Sequence, residues 1–119
     1  MRKINLQEKF ELFQDQWNPK VIGALNGQHV KLAKVQGEFV WHDHAEEDEL
    51  FFLVKGELKI EFRDRTETLR AGEMLIVPKG VEHRPIAEEE AWIMLFEPAA
   101  IQHTGEVRDP RTVDQCEWI

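Results

Sequence analysis

Short apolar segments separated by turn residues fill the middle of the chain. Residues 58–62 alternate apolar with charged side chains, which predicts a strand with one face in the core and one in water. Residues 50–54 and 91–96 are apolar on both faces, which is typical of fully buried strands. We expect about eight to ten short strands with no helix between them, which indicates an antiparallel barrel or a two-sheet jelly roll.

The turn signals give the expected order of the strands. Asn26-Gly27 is a strong tight-turn pair, and residues 55–57 and 63–65 mark two further turns. We expect residues 50–54 and 58–62 to form a hairpin. The acidic runs at 46–48 and 88–90 are interpreted as solvated turns. The remaining strands are expected at residues 21–25, 30–35, 39–42, 66–69 and 74–77.

The residues before the first strand have the apolar spacing of a helix instead of a strand. Asn5 and Glu8 have the spacing of a helix N-cap and its capping box. The apolar residues Leu6, Phe10, Phe13 and Trp17 then form one helical stripe. This helix must stop before Pro19, because the residue preceding a proline disfavours helical dihedrals. We expect the helix to pack as a lid on the barrel or on a partner subunit.

A chain of 119 residues is the size of one domain. We predict an N-terminal helical segment at 1–18, a barrel at 20–97 and a C-terminal arm at 98–119, in which Val113 and Trp118 are the expected anchors. The chain contains neither an apolar run long enough to span a membrane nor a signal-peptide core. A single cysteine, Cys116, cannot form an internal disulfide, which favours a reducing, cytoplasmic location.

The formal net charge of −8 argues against nucleic acid or an anionic membrane surface as a partner. The net charge does not exclude a small-molecule ligand. Apolar residues on both faces of several strands exceed what one small barrel interior needs, so we also expect a homodimer that uses a sheet face or the N-terminal helix.

Four side chains from separate segments are candidate metal ligands. His42 and His44 are two residues apart, so in an extended chain they share one face. Glu49 opens the next apolar run, and His83 follows the turn Pro78-Lys79-Gly80. Three imidazoles and one carboxylate brought together would bind one divalent transition metal, with Zn, Ni, Fe, Mn and Co all open. His29 and His103 are interpreted as structural histidines.

The spacing of these residues resembles that of the cupin superfamily. His42-x-His44-x4-Glu49-x6-Gly56 is similar to the first cupin motif, and Gly72-x5-Pro78-x-Gly80-x2-His83 is similar to the second. The resemblance implies an antiparallel double-stranded β-helix, the cupin jelly-roll barrel, here with a short N-terminal helix. It also implies a chemistry drawn from dioxygenases, sugar and sugar-phosphate isomerases, decarboxylases and epimerases. Small single-domain relatives are often labelled mannose-6-phosphate-isomerase-like.

The reaction stays open at this point. Phe51, Phe62 and Met94 are the candidate substrate-binding walls of an apolar cavity suited to an oxygenase. A phosphosugar isomerase would instead use cationic groups at the cavity mouth. The candidates for that role are Arg63, Arg65, Lys79 and Arg84. A metal-dependent oxygenase or isomerase ranks narrowly above a non-catalytic small-molecule or metal-sensing module. A barrel that serves only as a dimer scaffold is the third alternative.

Overall fold

The structure, a computed structural model, describes residues 1–99, 105, 107–113 and 115–119. This part of the chain contains one helix and eight strands. Their bounds are α1 Leu6–Phe10, β1 Lys20–Leu25, β2 Gln28–Glu38, β3 Glu49–Lys55, β4 Glu57–Phe62, β5 Thr66–Arg70, β6 Met74–Val77, β7 His83–Pro98 and β8 Glu117–Trp118. No helix in the described ranges has the length and apolar character needed to cross a bilayer.

Two long strands, β2 and β7, connect the two layers of the fold. The first half of β7 pairs with β4, which in turn pairs with β5, whereas its second half pairs with β3, which pairs with β6. β2 runs antiparallel along the other edge of β7 and continues the sheet to β1 and β8. The predicted all-β jelly roll with a short N-terminal helix is confirmed.

The predicted hairpin of residues 50–54 and 58–62 is wrong. Both segments are strands, but β3 pairs with β6 and β7, whereas β4 pairs with β5 and β7. The chain therefore crosses from one layer to the other at Gly56, which has φ +94°. A Cβ at Gly56 would lie 3.1 Å from the carbonyl oxygen of Glu90, so a side chain here would press on the backbone of β7 and strain the positive φ.

The acidic run at 88–90 is exposed, as predicted, but it is not a turn. It lies inside β7 as a bulge: Val35 pairs with Ala91 and Gly37 with Ala87, so the three residues between have no partner in β2. Bulges bend a strand and increase its twist. This bulge lies where β7 passes from one layer to the other.

The N-terminal helix is shorter than predicted. Asn5 does cap it, since its side chain accepts a hydrogen bond from the Glu8 N–H at 3.0 Å. The helix ends at Phe10, and Trp17 adopts φ 58°. The apolar stripe is divided between two clusters, because Phe13 packs on the outside of the sheet whereas Trp17 packs between the layers. A continuous helix could not reach both.

The core consists of these two clusters. The inner cluster lies between the layers and includes alternate residues of β3 and β7, such as Phe51, Leu53, Ile93 and Leu95. The outer cluster lies beneath the N-terminal segment, where Phe10 and Phe13 cover Ile22, Leu32 and Trp92. Consecutive side chains on β3 and on β7 thus face opposite sides of the sheet.

The C-terminal arm returns to β1. β8 pairs in parallel with β1, and the Lys9 ammonium donates to the Ile119 carbonyl at 2.9 Å. Trp118, a predicted anchor, is 58% exposed and contacts the edge of the His29 ring. Backbone pairing therefore contributes more to this anchorage than side-chain burial does.

Candidate metal centre

The four predicted ligands converge inside the barrel. His42, His44, Glu49 and His83 are all buried, and one ligand atom from each lies within 4.8 Å of the others. A divalent metal with ligand bonds of about 2.1 Å holds its donors roughly 3 to 4.2 Å apart. A small contraction of the cluster would satisfy that geometry.

A backbone bridge sets the first pair of imidazoles side by side. His42 and His83 exchange N–H to carbonyl hydrogen bonds at 2.9 and 3.1 Å, and their ring centroids are 4.4 Å apart. The strand predicted at 39–42 is thus reduced to this single bridge with β7. It is enough to align the two side chains on one face.

Each of these imidazoles is oriented by its own backbone. Nδ1 of His42 lies 2.9 Å from the Val40 carbonyl oxygen, and Nδ1 of His83 lies 2.9 Å from that of Val81. A carbonyl oxygen only accepts hydrogen bonds, so the proton of each neutral ring sits on Nδ1. The lone pair of Nε2 then points into the cluster, the arrangement usual for metal-binding histidines.

His44 and Glu49 complete the cluster from the adjoining loop and strand. Oε1 of Glu49 lies 3.3 Å from Nε2 of His44 and 3.5 Å from Nε2 of His83. The loop that carries His44 is held by its carbonyl, which accepts from the Gly80 N–H at 2.8 Å. In the neighbouring acidic run, Asp48 accepts from the Lys79 N–H at 2.8 Å, so its carboxylate shapes the loop.

The electrostatics favour a neutral imidazole beside an ionised carboxylate. Burial, with the electrostatic effect of the neighbouring His83 as the second cause, lowers the pKa of His42 to about 4. Complete burial alone would raise the pKa of Glu49, but its close neighbours Glu97, His44 and His83 hold it well below its ordinary value. These are the protonation states that metal coordination requires.

The donor atoms are otherwise unsatisfied. Nε2 of each of the three histidines and Oε1 of Glu49 are buried, and none of these atoms has a hydrogen-bond partner among the described residues. Buried polar atoms are rarely left unpaired, because desolvating them costs free energy that nothing returns. The residues present therefore fit a bound divalent metal.

Two further charged residues lie beside the cluster, and the sequence analysis missed both. Glu97 is fully buried, and its Oε1 accepts from the buried Lys31 ammonium at 3.0 Å. Burial, then the charge of Glu49, raises the pKa of Glu97 well above its usual value, while Lys31 acts in the opposite direction. The available signal was the alternation Ile93, Leu95, Glu97, which continues the inward face of β7 with a carboxylate.

A cavity of about 30 Å³ adjoins the cluster. Its wall is almost entirely apolar, and the polar side chains that line it are His42 and Glu49. Trp17 and Phe39 form part of the wall, with their rings stacked 4.3 Å apart. The volume has room for about one or two water-sized molecules.

The three predicted substrate-binding residues lie in different places. Phe51 lines the cavity, and its ring meets the His83 imidazole edge to face at 5.9 Å. Phe62 is the cross-strand partner of His83 and lines a wider surface pocket of about 380 Å³. Met94 packs against the outer cluster, so the structure does not bring it to the four candidate ligands.

The predicted cationic groups lie outside the cavity, and three of them form ion pairs. Arg63 contacts Glu82 at 2.6 Å, Arg65 contacts Glu67 at 3.6 Å and Arg84 contacts Glu61 at 2.7 Å. Lys79 lies in the turn that follows β6. Of the histidines assigned structural roles, His29 contacts Trp118, and His103 lies outside the described residues.

Comparison with known proteins places this centre in a family. The cupin domain family profile matches residues 28–104, a range that contains all four candidate ligands. The chain is similar to a cupin-2 domain protein of Shewanella frigidimarina in its crystal structure. The two are 55% identical with a TM-score of 0.79, over 80% of this chain and 93% of that one.

Two further proteins are similar over less of their length or at lower identity. The uncharacterized protein YdbB of Bacillus subtilis is 45% identical over 64 residues, so the chain spans just over half (57%) of this curated relative. Hydroquinone 1,2-dioxygenase from Sphingomonas sp. TTNP3, solved with 4-hydroxybenzoate bound, is 16% identical with a TM-score of 0.63, over 71% of this chain and 67% of that one. That likeness is one of fold alone. On the family match and the high identity to the Shewanella protein, the chain belongs to the cupin superfamily.

Proposed function

We propose that this protein is a metal-dependent oxygenase acting on a small, largely apolar molecule. The observation that carries the proposal is the position of three imidazoles and one carboxylate, buried and unpartnered, at the wall of an apolar cavity. The proposed metal ligands are His42, His44, Glu49 and His83.

The donor set suits Fe, Mn, Co, Ni or Zn, and it does not choose among them. Four protein ligands leave one or two open positions on a five- or six-coordinate metal, where the ion would polarise or activate a coordinated small molecule. In a dioxygenase reaction both atoms of dioxygen enter the organic substrate, so no external reductant is consumed. The chain's own part is to hold the donors and to exclude water with the wall that includes Phe51 and Phe39.

The cavity supports an oxygenase over a sugar-type isomerase. A phosphosugar would need cationic or hydrogen-bonding groups around it, and Arg63, Arg65 and Arg84 instead form ion pairs outside the cavity. A space for one or two water-sized molecules beside His42 fits a diatomic gas. The hydroquinone dioxygenase likeness is compatible with this chemistry on the same fold.

A binding-only role is the second candidate, and one observation favours it. The polar side chains that line the cavity, His42 and Glu49, are themselves proposed metal ligands, so within the part of the chain that the structure describes no separate acid or base lines it. A small-molecule or metal-sensing module needs no such group.

Oxygen consumption separates the candidates. Metal-free protein is loaded anaerobically with Fe(II), Mn(II), Co(II), Ni(II) or Zn(II) and mixed with a panel of phenols and thiols in aerated buffer. The proposal predicts substrate-dependent oxygen uptake with at least one metal, and its loss in Glu49→Gln. The matched control His29→Ala removes a histidine outside the cluster and should retain uptake. Sugar-phosphate isomerisation without oxygen uptake would contradict the oxygenase, and saturable binding without turnover would support the sensor.

A further inference from the structure

A row of charged side chains continues inward from the candidate ligands. Leu50 and Phe96 are cross-strand partners, so Glu49 and Glu97, the next residue on each strand, face each other on the inner side of the sheet. Lys31 on β2 pairs with Leu95 and therefore also faces inward. Three neighbouring strands thus place Lys31, Glu97 and Glu49 at one end of the barrel interior.

These three residues are buried, and Glu97 contacts Lys31. Lys31 is 2% exposed and Glu97 is 0% exposed, and Oε1 of Glu97 accepts from the Lys31 ammonium at 3.0 Å. Glu97 and Glu49 are adjacent across the β3–β7 pair, so their carboxyl groups face each other. Oε2 of Glu97 is buried and has no hydrogen-bond partner among the described residues. Glu97 lies outside the four-residue donor cluster.

Stabilisation of the fold does not by itself explain why these three charged residues are buried. A buried ion pair seldom stabilises a fold more than well-packed apolar residues of the same volume would. Between these charges and the ligand His83, the inner face of β2 and β7 carries apolar side chains such as Ala33, Val35, Ile93 and Leu95. Charges are placed only where the row meets Glu49, the one carboxylate of the donor set.

We propose that Glu97, anchored by Lys31, is a positioning residue that fixes the orientation of the Glu49 carboxylate toward the three imidazoles and so tightens metal binding. This inference rests on the proposed metal site. Partners behind a ligating carboxylate or imidazole commonly change metal affinity about 10- to 100-fold.

The test is a Co(II) titration of metal-free protein, followed by the visible d–d absorption, which reports both the affinity and the coordination geometry. The double substitution Lys31→Met with Glu97→Met removes the pair without leaving an unpaired buried charge, so the barrel should still fold. We expect this variant to bind Co(II) about 10- to 100-fold more weakly, with a shifted absorption spectrum.

Two single variants sharpen the result. Glu97→Gln keeps the shape of the side chain and can accept from Lys31 while donating to Glu49, so we expect affinity within about threefold of the wild type and an unchanged spectrum. Lys20→Met removes another buried lysine, whose partner Asp15 lies 2.9 Å away and is half-exposed, and it should change neither readout.

The outcomes distinguish this inference from the proposed function. If the wild type binds none of the divalent metals, the metal site itself is wrong. If the wild type binds Co(II) and the double variant matches its affinity and spectrum, only the positioning role is overturned. A Glu97→Gln variant as weak as the double variant would also overturn it, because orientation would then not be what Glu97 supplies.

Discussion

At the scale of single residues, the chemistry depends on which nitrogen of each imidazole is committed to the backbone. His42 and His83 use Nδ1 for a carbonyl two residues earlier, which leaves Nε2 for a ligand. The same short-range pattern holds for both, so the tautomer of each ring is set by a contact within its own segment. Oε1 of Glu49, the carboxylate of the donor set, lies within 3.5 Å of Nε2 of His44 and of His83.

The metal-free protein should lose stability as the pH falls, and His42 should be one cause. Burial and the electrostatic effect of the neighbouring His83 lower its folded-state pKa to about 4, below the unfolded value of 6.5. The unfolded chain therefore takes up a proton between those values before the folded one does. The contribution of His42 is complete above about pH 6.5 and decreases toward pH 4, by roughly 3 kcal/mol in all.

Urea unfolding in the presence of a chelator measures the free energy of unfolding of the metal-free protein at pH 7.5 and pH 5. His42→Asn should flatten the dependence relative to the wild type. Two carboxyl groups contribute in both proteins: the lowered pKa of Glu49 gives the same sign as His42, whereas the raised pKa of Glu97 gives the opposite sign. Parallel curves for the two proteins would refute the role assigned to His42.

Three of the donors, His42, His44 and Glu49, could be predicted from the sequence because they are two or five residues apart within one strand–loop–strand unit. The fourth, His83, was predicted from its place in the second cupin-like motif. Lys31 and Glu97 could not be placed in the same way. They are 66 positions apart, and only the pairing of β2 with β7 and of β7 with β3 sets them beside Glu49. Met94 shows the same limit, since a shift of one position along β7 would have turned it inward.

At the scale of the elements, the N-terminal segment and the C-terminal arm meet over the cavity. The Trp17 indole N–H donates to the Gln36 carbonyl at 2.9 Å, and its ring stacks on Phe39. The Arg111 guanidinium lies 4.7 Å from the Phe39 ring centroid and donates to the Glu38 carbonyl at 2.8 Å. The segment predicted as a helical lid does cover the barrel, but through an irregular turn at Trp17.

Removing this cover should be costly. Trp17→Ala would open a cavity between the layers and leave the Gln36 carbonyl without its donor, so we expect a loss of about 3–5 kcal/mol in the free energy of unfolding. Urea unfolding measures this loss. Trp118→Ala is the matched control, because Trp118 is 58% exposed, and it should cost less than about 1 kcal/mol. Equal losses in the two variants would show that Trp17 is not part of the core.

The element positions followed from local pattern, and their pairing did not. A continuous apolar run predicted β3 and alternation predicted β4, both correctly as strands, yet a short turn between them suggested a hairpin. The turn at Gly56 instead passes close to the backbone of Glu90, where β7 changes layers. The local sequence does not determine which strands pair. Here β7, which is distant in sequence, pairs with both β3 and β4, and these two strands do not pair with each other.

At the scale of the whole molecule, one sheet face is apolar and only partly covered. On the outside of β6, β3 and β7 lie Met74, Ile76, Leu50, Phe52 and Phe96, which we term the outer apolar face. Met74 and Ile76 are about half exposed, at 52% and 51%. None of the five side chains is charged, although the chain carries a net charge of −8. Exposed apolar patches of this kind mark interaction surfaces.

We expect the protein to form a homodimer through the outer apolar face. Light scattering after size exclusion at micromolar concentration should give the mass of two chains for the wild type and of one chain for Ile76→Glu. Leu25→Glu, at the exposed tip of the β1–β2 hairpin, is the matched control and should remain dimeric. A wild-type monomer would contradict the prediction. The predicted division at 1–18, 20–97 and 98–119, and a cytoplasmic location, stay predictions.

Elemental analysis of the purified protein tests the central claim most directly. The account predicts close to one divalent transition metal per chain in the wild type and in His29→Ala, and almost none in His44→Ala, which should keep a β-rich circular dichroism spectrum because the barrel does not depend on one ligand. A wild-type protein that takes up no such metal, or a His44→Ala variant that retains as much as the wild type, would contradict it.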